Sequence, residues 1–555
     1  MTASIQIFTK PGCPYCTKVK TVLDDKGLPY QEIDVKASQR NADLSAYLSG
    51  VSTVPQIFIG GMHVNGSEDL LALAAADRLI PLIAEADGEI DMSKPTDEAA
   101  HAGAADYVLR NVIPEIDGSH STVPTDQPIL HLYKEFFGFW PNCFYYQYHW
   151  PEVAYRQFVY CHNVGAIGGG RKVLGAPVMS ALGFATSKAQ GCDYCQIHSA
   201  STGSDNAADY TKQIQAAQEG EFSDDNPFGP FEAALADLVA HASLNKVTED
   251  DLQTVRDTHG EARFTKLPSG ANIQAASMIA AAFGFLNVFN DLTGVKVEGA
   301  WAKQAETDAG LSAGRHGSSD ERSQSNLDYD LPDDGPSMAH MLAHYAKDPL
   351  LEIGPARYTK HHLGITPAWI EAWPLPLRPL HARFYVGVMT DEDANEVRIA
   401  PELKHLMARV SGIAKGHDYL AAVEGWMAWN NGGQNNRSAY RVARAFDAAK
   451  GRDTGGLFDE RERAALQLAW LSAQTPLTTP HRFVATAIEH YTPTELVHLC
   501  TVCAMASMVQ RFAAIAKPKV EQEVHEFLES YHIPLDTLAS KYPLADEREA
   551  RREPV

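Results

Sequence analysis

Two periods divide the chain. Over residues 1–86 apolar and polar positions alternate in three short runs, Ser4–Phe8, Tyr30–Val35 and Gln56–Ile59. Between and after them apolar positions recur at helical spacing, over Tyr15–Lys26, Asn41–Leu48 and from Ser67 to Ala86. A period of two puts alternate side chains on opposite faces of a strand, and a period of 3.6 gathers them on one helix face. The β-α-β-α-β order predicts a small α/β domain. Residues 87–125 shift to Asp, Glu, Ser, Thr, Gly and Pro and read as a linker. Helical runs broken by Pro and Gly then fill 126–304 and 337–540, separated by a polar linker over 305–336. The charged end, 541–555, reads as a frayed tail. The expected class is therefore multidomain, α/β first and all-α after it.

The two helical blocks repeat each other. Gly191–His198 (GCDYCQIH) aligns with Gly416–Val423 (GHDYLAAV), and Glu232–Thr248 aligns without a gap with Glu462–Thr478. The helix that ends at Asp291 corresponds to one that ends near Arg511. Three matches in the same order at similar spacing predict an internal duplication. The first block keeps two cysteines and a histidine in the matched segment, and the second has lost all three. It is expected to serve as a pseudo-symmetric partner for the first, without a thiol centre of its own.

Composition narrows the function. With 555 residues the chain is long enough for several cores, and 47 basic against 70 acidic residues leave a net charge of -23. Nucleic acid and anionic membrane surfaces are poor partners for such a chain, since both need cationic patches. No run approaches the ~20 apolar residues of a membrane span, and the N-terminus lacks a signal-like basic and apolar pair of regions. A cytoplasmic, reducing setting is the expectation. Six of the eight cysteines fall in three Cys-x-x-Cys pairs, Cys13/Cys16, Cys192/Cys195 and Cys500/Cys503, and Cys143 and Cys161 stand alone. In a reducing compartment such pairs mean redox chemistry or metal binding more often than structural staples.

Lys10-Pro-Gly-Cys13-Pro-Tyr15-Cys16 follows the first strand and opens the first helix. Free N–H groups at a helix start favour a thiolate at Cys13, Lys10 adds a nearby cation, and Cys16 one turn on is placed to close a disulfide. Thr53-Val54-Pro55 precedes the third strand, where a residue without an N–H leaves neighbouring backbone groups to a peptide ligand. These residues, the Gly60-Gly61 turn and the helix start Asn65-Gly66-Ser67-Glu68 resemble the glutaredoxin family over essentially all of residues 1–86. The resemblance implies a thioredoxin fold with Pro55 in the cis form and glutathione as reductant. It makes Cys13 the nucleophile and Cys16 the resolving thiol. Lys10, Tyr15, Thr53, Val54, Pro55, Gly66, Ser67 and Glu68 are then the glutathione-binding set, the last three forming an anion-friendly helix start.

The second pair lies in Gly191-Cys192-Asp193-Tyr194-Cys195-Gln196-Ile197-His198, after a long apolar helix. If the segment is helical, residues three apart lie about 60° apart around the axis, so Cys195 sits between Cys192 and His198. A histidine beside one thiol and a second thiol able to capture its sulfenic acid are what thiol-based peroxide reduction requires. The motif resembles the alkylhydroperoxidase/carboxymuconolactone decarboxylase family, all-helical and often oligomeric, over roughly 127–300 and more weakly over 337–520. That likeness implies a peroxidatic Cys195, a resolving Cys192 and a proton relay through His198, and it leaves a homo-oligomer among the expectations. Family members of this kind place a Glu about a dozen residues before the first cysteine. Here that position is Ser180, and no Asp or Glu occurs from Val153 to Gly191. The relay base is therefore expected from Glu152, from the second repeat or from Tyr194.

Other constellations read as structure. Cys500 and Cys503 lie in an apolar helix and are expected to pack as small hydrophobes. Gly168-Gly169-Gly170-Arg171 lacks the setting of a phosphate loop and reads as a flexible loop. The aromatic stretch Phe136–Tyr146 reads as core of the first repeat, with an entry to the Cys195 site as the alternative. No metal is expected.

The assembled expectation is a fused redox enzyme. Glutathione reduces Cys13/Cys16, which reduces Cys192/Cys195, which reduces a hydroperoxide. Two alternatives stand beside it: reduction of protein or small-molecule disulfides, and a glutaredoxin carried by a non-catalytic helical module. Residues 88–126 as flexible coil span roughly 31–37 Å, enough to give one pair an effective concentration on the order of millimolar at the other. In that scheme Cys13 attacks the second disulfide at Cys192.

Overall fold

The computed structural model describes residues 5–93, 108–119, 129–131, 133, 137, 139–150, 158–201, 206–319, 353–375, 377–390, 399–452 and 454–550. Strands β1 (Ile5–Thr9), β2 (Gln31–Asp34), β3 (Gln56–Ile59) and β4 (Met62–His63) form one sheet in the order β2-β1-β3-β4. β1 runs parallel to β2 and antiparallel to β3. Helices α1 (Pro14–Asp25), α2 (Gln39–Ser49), α3 (Ser67–Ala75) and α4 (Leu79–Ala84) complete the unit. All five β1 residues are buried, because both faces are covered: Ile5 and Ile7 pack in one apolar cluster, Phe8 with Ile33, Leu44 and Phe58 in the other. The expected single helix from Ser67 to Ala86 is two, broken where Asp77 takes a positive φ of 55°. β4 goes beyond the expected elements and follows the Gly60-Gly61 turn, where both glycines have positive φ.

The chain after this domain is helical. Four helices matter for the site: α5 (Ala176–Gln190), α6 (Asp193–Ser201), α7 (Pro230–Ser243) and α8 (Ser269–Thr293), followed by the two-residue strand β5 (Val297–Glu298). The later block has α9 (Pro401–Lys415), α10 (Asp418–Asn431), α11 (Glu460–Ser472) and α12 (Pro493–Ala516) in the same order. α5 and α9 each end on a left-handed glycine, Gly191 and Gly416. Both α8 and α12 are long and apolar enough to cross a membrane by length and composition, but 83% and 89% of their apolar windows are buried. They pack against each other in one continuous core that joins the two blocks.

Several stretches that read as connections carry structure. Ile90 lies on the first domain's sheet and its N–H donates to Gln6 Oε1 at 2.8 Å. Leu109 and Ile113 are in the helical core. The supposed linker from 305 begins as ordered chain: a helix runs from Gly299 to Ala309, and the turn Gly314–His316 buries His316 completely. The charged tail is a clasp up to residue 550 rather than a frayed end. Tyr542 enters the first domain's core, Arg78 makes a two-pronged ion pair with Glu547, and Ala545–Ala550 is helical. An aromatic ring and a fork-shaped cation satisfied by a carboxylate outweigh the tail's polar composition. Gly168–Gly170 also departs from expectation. They open a helical turn, Gly168–Leu174, and a Cβ at Gly170 would lie 2.8 Å from Ile279 Cγ1, so the glycine permits close approach to α8.

The first domain docks on the helical body through polar groups. Lys246 pairs with Glu68, Lys541 Nζ donates to Asp69 Oδ1 at 3.1 Å, and Lys450 Nζ lies 3.3 Å from His63 Nδ1. Burial pushes the Lys450 ammonium down to about 7, with the Arg452 charge adding to it.

Candidate functional site

Two thiol centres are present. Cys13 is the N-cap of α1 and forms a disulfide with Cys16, their Cα atoms 5.3 Å apart. Cys16 N–H points at Cys13 Sγ at 3.1 Å, and Val54 O lies 3.8 Å from the same sulfur. The Val54–Pro55 bond is cis. Gly66 caps α3 beside Pro55 O, so Thr53–Pro55 and Gly66–Glu68 converge on the Cys13 side of the sheet. Thr53 is fixed from behind by Gln56, whose Nε2 donates to Thr53 O at 2.9 Å. Tyr15 is exposed and Lys10 lies in a groove with Cys13 and Cys16. Of the expected glutathione set, Glu68 already has a partner in Lys246 of the helical body.

The second centre is built by α6. Its first helical hydrogen bond runs from Gln196 N–H to Cys192 O, so Cys192 precedes the helix while Cys195 and His198 share its face one turn apart. Cys192 and Cys195 are free thiols, both buried. Cys195 opens on a cavity of about 120 Å³ with Cys143, Tyr133, Phe137, Phe144, Met179, Phe283 and His198 in its wall. Thus several members of the aromatic stretch line the entry as well as the core; Phe136 and Gly138 lie outside the described residues. Cys192 is on the far side, with no solvent exposure. The expectation that Cys13 attacks at Cys192 is not met by this geometry: the sulfur that opens on the cavity is Cys195.

The acid beside His198 is Glu298, on β5, a residue that none of the three sequence expectations included. Its Oε2 lies 2.7 Å from His198 Nε2, and its Oε1 accepts from Tyr194 OH at 3.0 Å and from Asn142 N–H at 2.6 Å. Burial alone would raise its pKa, but the His198 charge and these hydrogen bonds more than offset that, and the net shift is downward. At neutral pH Glu298 is therefore ionised. A carboxylate accepts only, so His198 Nε2 carries the hydrogen. Tyr194 donates to Glu298, its ring is stacked 4.1 Å from His198, and burial holds its phenol well above the ordinary range. Ser180 lines the cavity. Glu152 lies outside the described residues.

The second block repeats the support without the thiols. Glu521 Oε1 accepts from Ala368 N–H at 2.6 Å and Tyr419 OH at 2.9 Å, as Glu298 does from Asn142 and Tyr194. Trp369 N–H donates to Tyr419 OH at 3.1 Å, as Cys143 N–H does to Tyr194 OH at 3.4 Å. The block also reaches into the first centre. Arg511 of α12 passes Gly284 of α8, where a Cβ would lie 2.8 Å from its Cδ, and donates to Asn287 Oδ1 and Gln190 Oε1. Burial lowers its pKa to about 10, with Cys192, Cys195 and Asp291 pulling the other way, so it remains a cation beside both thiols. Asn290 Nδ2 lies 3.4 Å from Cys195 Sγ.

Behind Cys192, donor atoms of Cys192, Asp291 and His316 lie within 4.8 Å of one another. A divalent ion would need to part His316 Nε2 from Asp291 Oδ1, which are 2.9 Å apart, and to sit near the Arg511 cation. Cys500 and Cys503 are wholly buried in α12, in the packing role expected of them, and burial pushes Cys503 up to about 12.

Comparison with known proteins bears on the first domain. The Glutaredoxin family model matches residues 5–64. Glutaredoxin 3 of Escherichia coli K12 is 41% identical over 81 residues, 15% of this chain and 98% of that protein. Hybrid peroxiredoxin hyPrx5 of Haemophilus influenzae is 54% identical over 67 residues, 12% of this chain and only 27% of that relative. A crystal structure of a buckwheat glutaredoxin–glutathione complex matches at 31% identity and a TM-score of 0.15, covering 15% of this chain and 82% of the other. The debrominase Bmp8 in complex with 2,3,4-tribromopyrrole matches at 22% identity and a TM-score of 0.27, over 33% of this chain and 93% of the other.

Proposed function

From a chain that belongs to the glutaredoxin family through its N-terminal domain, we propose a glutathione-dependent peroxidase with two thiol centres in series. The N-terminal domain is a thiol–disulfide oxidoreductase that uses glutathione. Cys13 is its nucleophile, Cys16 its resolving thiol, and Lys10, Tyr15, Thr53, Val54, Pro55, Gly66, Ser67 and Glu68 hold glutathione. The helical region is an alkylhydroperoxidase-like duplication whose first block does the peroxide chemistry. The observation that carries this reading is the hydrogen-bonded line Glu298–His198 on the cavity that Cys195 enters.

His198 takes the Cys195 proton. The thiolate attacks the terminal oxygen of a hydroperoxide, the O–O bond breaks, and the alcohol leaves with the proton that His198 returns. Cys192 then attacks the Cys195 sulfenic acid, forming the disulfide and releasing water. The apolar wall of a small cavity suits an organic hydroperoxide with a compact apolar body. Reduction returns electrons through Cys195, the accessible sulfur, with Cys192 as the leaving thiol. The Cys13 groove and the Cys195 cavity share no lining residue. Glu298 beside His198 supports the peroxidase reading over a pure disulfide reductase, whose motive was a relay without an acid.

The assay couples glutathione, glutathione reductase and NADPH to either acceptor. Turnover is expected with both cumene hydroperoxide and hydroxyethyl disulfide; turnover with the disulfide alone rejects the peroxidase. A separate expectation concerns Cys13. In the reduced protein it should react with iodoacetamide well below pH 8, ahead of Cys16, because it sits at the start of α1. Mass spectrometry of the singly alkylated protein reads the order, and alkylation of Cys16 first contradicts it.

A further inference from the structure

The His198–Glu298 line serves the cavity side of the thiol pair, and a second histidine–carboxylate pair lies on the other side. Asp291 of α8 and His316 of the turn Gly314–His316 are both without solvent exposure. His316 Nδ1 is 2.7 Å from Val295 O and Nε2 is 2.9 Å from Asp291 Oδ1. A carbonyl oxygen only accepts, so Nδ1 carries a hydrogen. The Nε2···Oδ1 contact then holds one further proton, on the imidazolium or on the carboxyl. With that tautomer fixed, the pair is a unit that gains or loses a proton facing Cys192, and donor atoms of all three residues lie within 4.8 Å. A thiol rotation or one bridging water spans that distance.

We infer that the His316–Asp291 pair is the proton acceptor and donor of Cys192, so that each thiol of the centre has its own histidine–carboxylate pair. The inference rests on the thiol chemistry proposed above and adds residues that no expectation from the sequence included. Burial, the bond to Cys195 and the Asp291 charge all hold the Cys192 thiol well above its ordinary range, so it stays protonated at neutral pH and needs an acceptor before it can attack. In the oxidative half, the pair passes the proton of its Nε2···Oδ1 contact to solvent and takes the Cys192 proton in its place, and the Cys192 sulfur bonds to Cys195. The S–O bond breaks and the oxygen leaves as water, with a proton supplied from the His198 side. Return of the pair's proton through solvent balances the step. In the reductive half, an incoming thiolate bonds to Cys195, the S–S bond breaks, and Cys192 leaves as a thiolate that the pair reprotonates. Among the described residues the other charged or titratable groups around it are Asp193, Tyr194 and Cys195 of α6, Arg511 of α12, Arg315, which donates to Gly191 O and whose N–H donates to Asp193 Oδ2 at 3.3 Å, and Arg110, which donates to His316 O. Arg511 offsets the thiolate charge and takes no proton.

The test uses the full reduced chain mixed rapidly with cumene hydroperoxide, with dimedone trapping Cys195 sulfenic acid and peptide mapping following the Cys192–Cys195 disulfide. In His316→Gln, disulfide formation should slow about 100-fold and the dimedone adduct should accumulate, while the first oxidation of Cys195 stays within about twofold. The slowed step should gain rate with rising pH across 6–8, where wild type is nearly flat. Asp291→Asn keeps the imidazole and should give the same pH signature with a smaller loss; it stands in if His316→Gln does not fold. Disulfide formation in both variants at the wild-type rate and pH profile overturns the inference, as does stoichiometric Zn(II) held by the reduced chain through Cys192 and His316. Absence of any Cys195 sulfenic acid in wild type rejects the peroxidase reading instead. The same variants, carrying Cys13→Ser so that the first centre is silent, are then mixed with hydroxyethyl disulfide in a single turnover, where Cys192 resolves a mixed disulfide at Cys195, and an unchanged rate of Cys192–Cys195 disulfide formation there overturns the proton pair by itself.

Discussion

Cys195→Ser is expected to abolish hydroperoxide reduction, with a loss on the order of 10³-fold or more, as befits removal of a nucleophile. Hydroxyethyl disulfide reduction through Cys13 and Cys16 should stay within about twofold, because the two centres share no lining residue. The serine is nearly isosteric and sits in a buried helical position beside Asn290, so unfolding is not the expected cause. Circular dichroism before and after oxidation checks this, and the coupled assay with both acceptors reads the split. Full peroxide turnover in the variant would move the chemistry elsewhere, and Cys143 in the same cavity wall is then the thiol to examine.

Glu298→Gln should cost peroxide turnover about 10²–10⁴-fold, the usual worth of a general acid–base partner. The amide keeps the shape and still accepts from Asn142 and Tyr194, but it removes the charge that holds His198 ready to take a proton. The pH dependence follows from the sign of the shift. Glu298 has a folded pKa below its ordinary value of 4.5. Its stabilising contribution is therefore fully present above the unfolded carboxylate pKa and is lost as pH falls through the lowered folded value. Wild type should lose stability through that acid range more steeply than the glutamine variant, as followed by thermal unfolding between pH 3 and 6. Equal slopes, or a variant with unimpaired turnover, would remove Glu298 from the relay.

The second result turns on a residue that no local pattern marks. Cys192, Cys195 and His198 are legible because one helix brings them together, and the spacing of a helix is written in consecutive residues. The helix begins at Asp193, one residue later than the helical reading assumed, and of the two thiols Cys195 lines the cavity. Glu298 lies on a two-residue strand that pairs with Ser318–Ser319, far along the chain from α6. Arg511 stands in an apolar helix of the other block, where its spacing says only that it is buried.

What the sequence by itself determined is what short-range chemistry controls: the α/β domain from its two periods, the CPYC start of α1, and the order of helices in the two blocks. Residues a few positions apart dictate those features, and the physics that reads them is steric and local. Tertiary structure alone decided which acid meets His198, which sulfur opens on the cavity, and that His316 belongs to the site although its surroundings read as linker. It also turned a charged tail into a clasp, since Tyr542 finds an apolar core and Glu547 a guanidinium only once the first domain is docked. A buried carboxylate or cation is held by partners that long-range packing delivers, and the energy of that placement resides in desolvation and hydrogen bonds between elements, which spacing along one element does not encode.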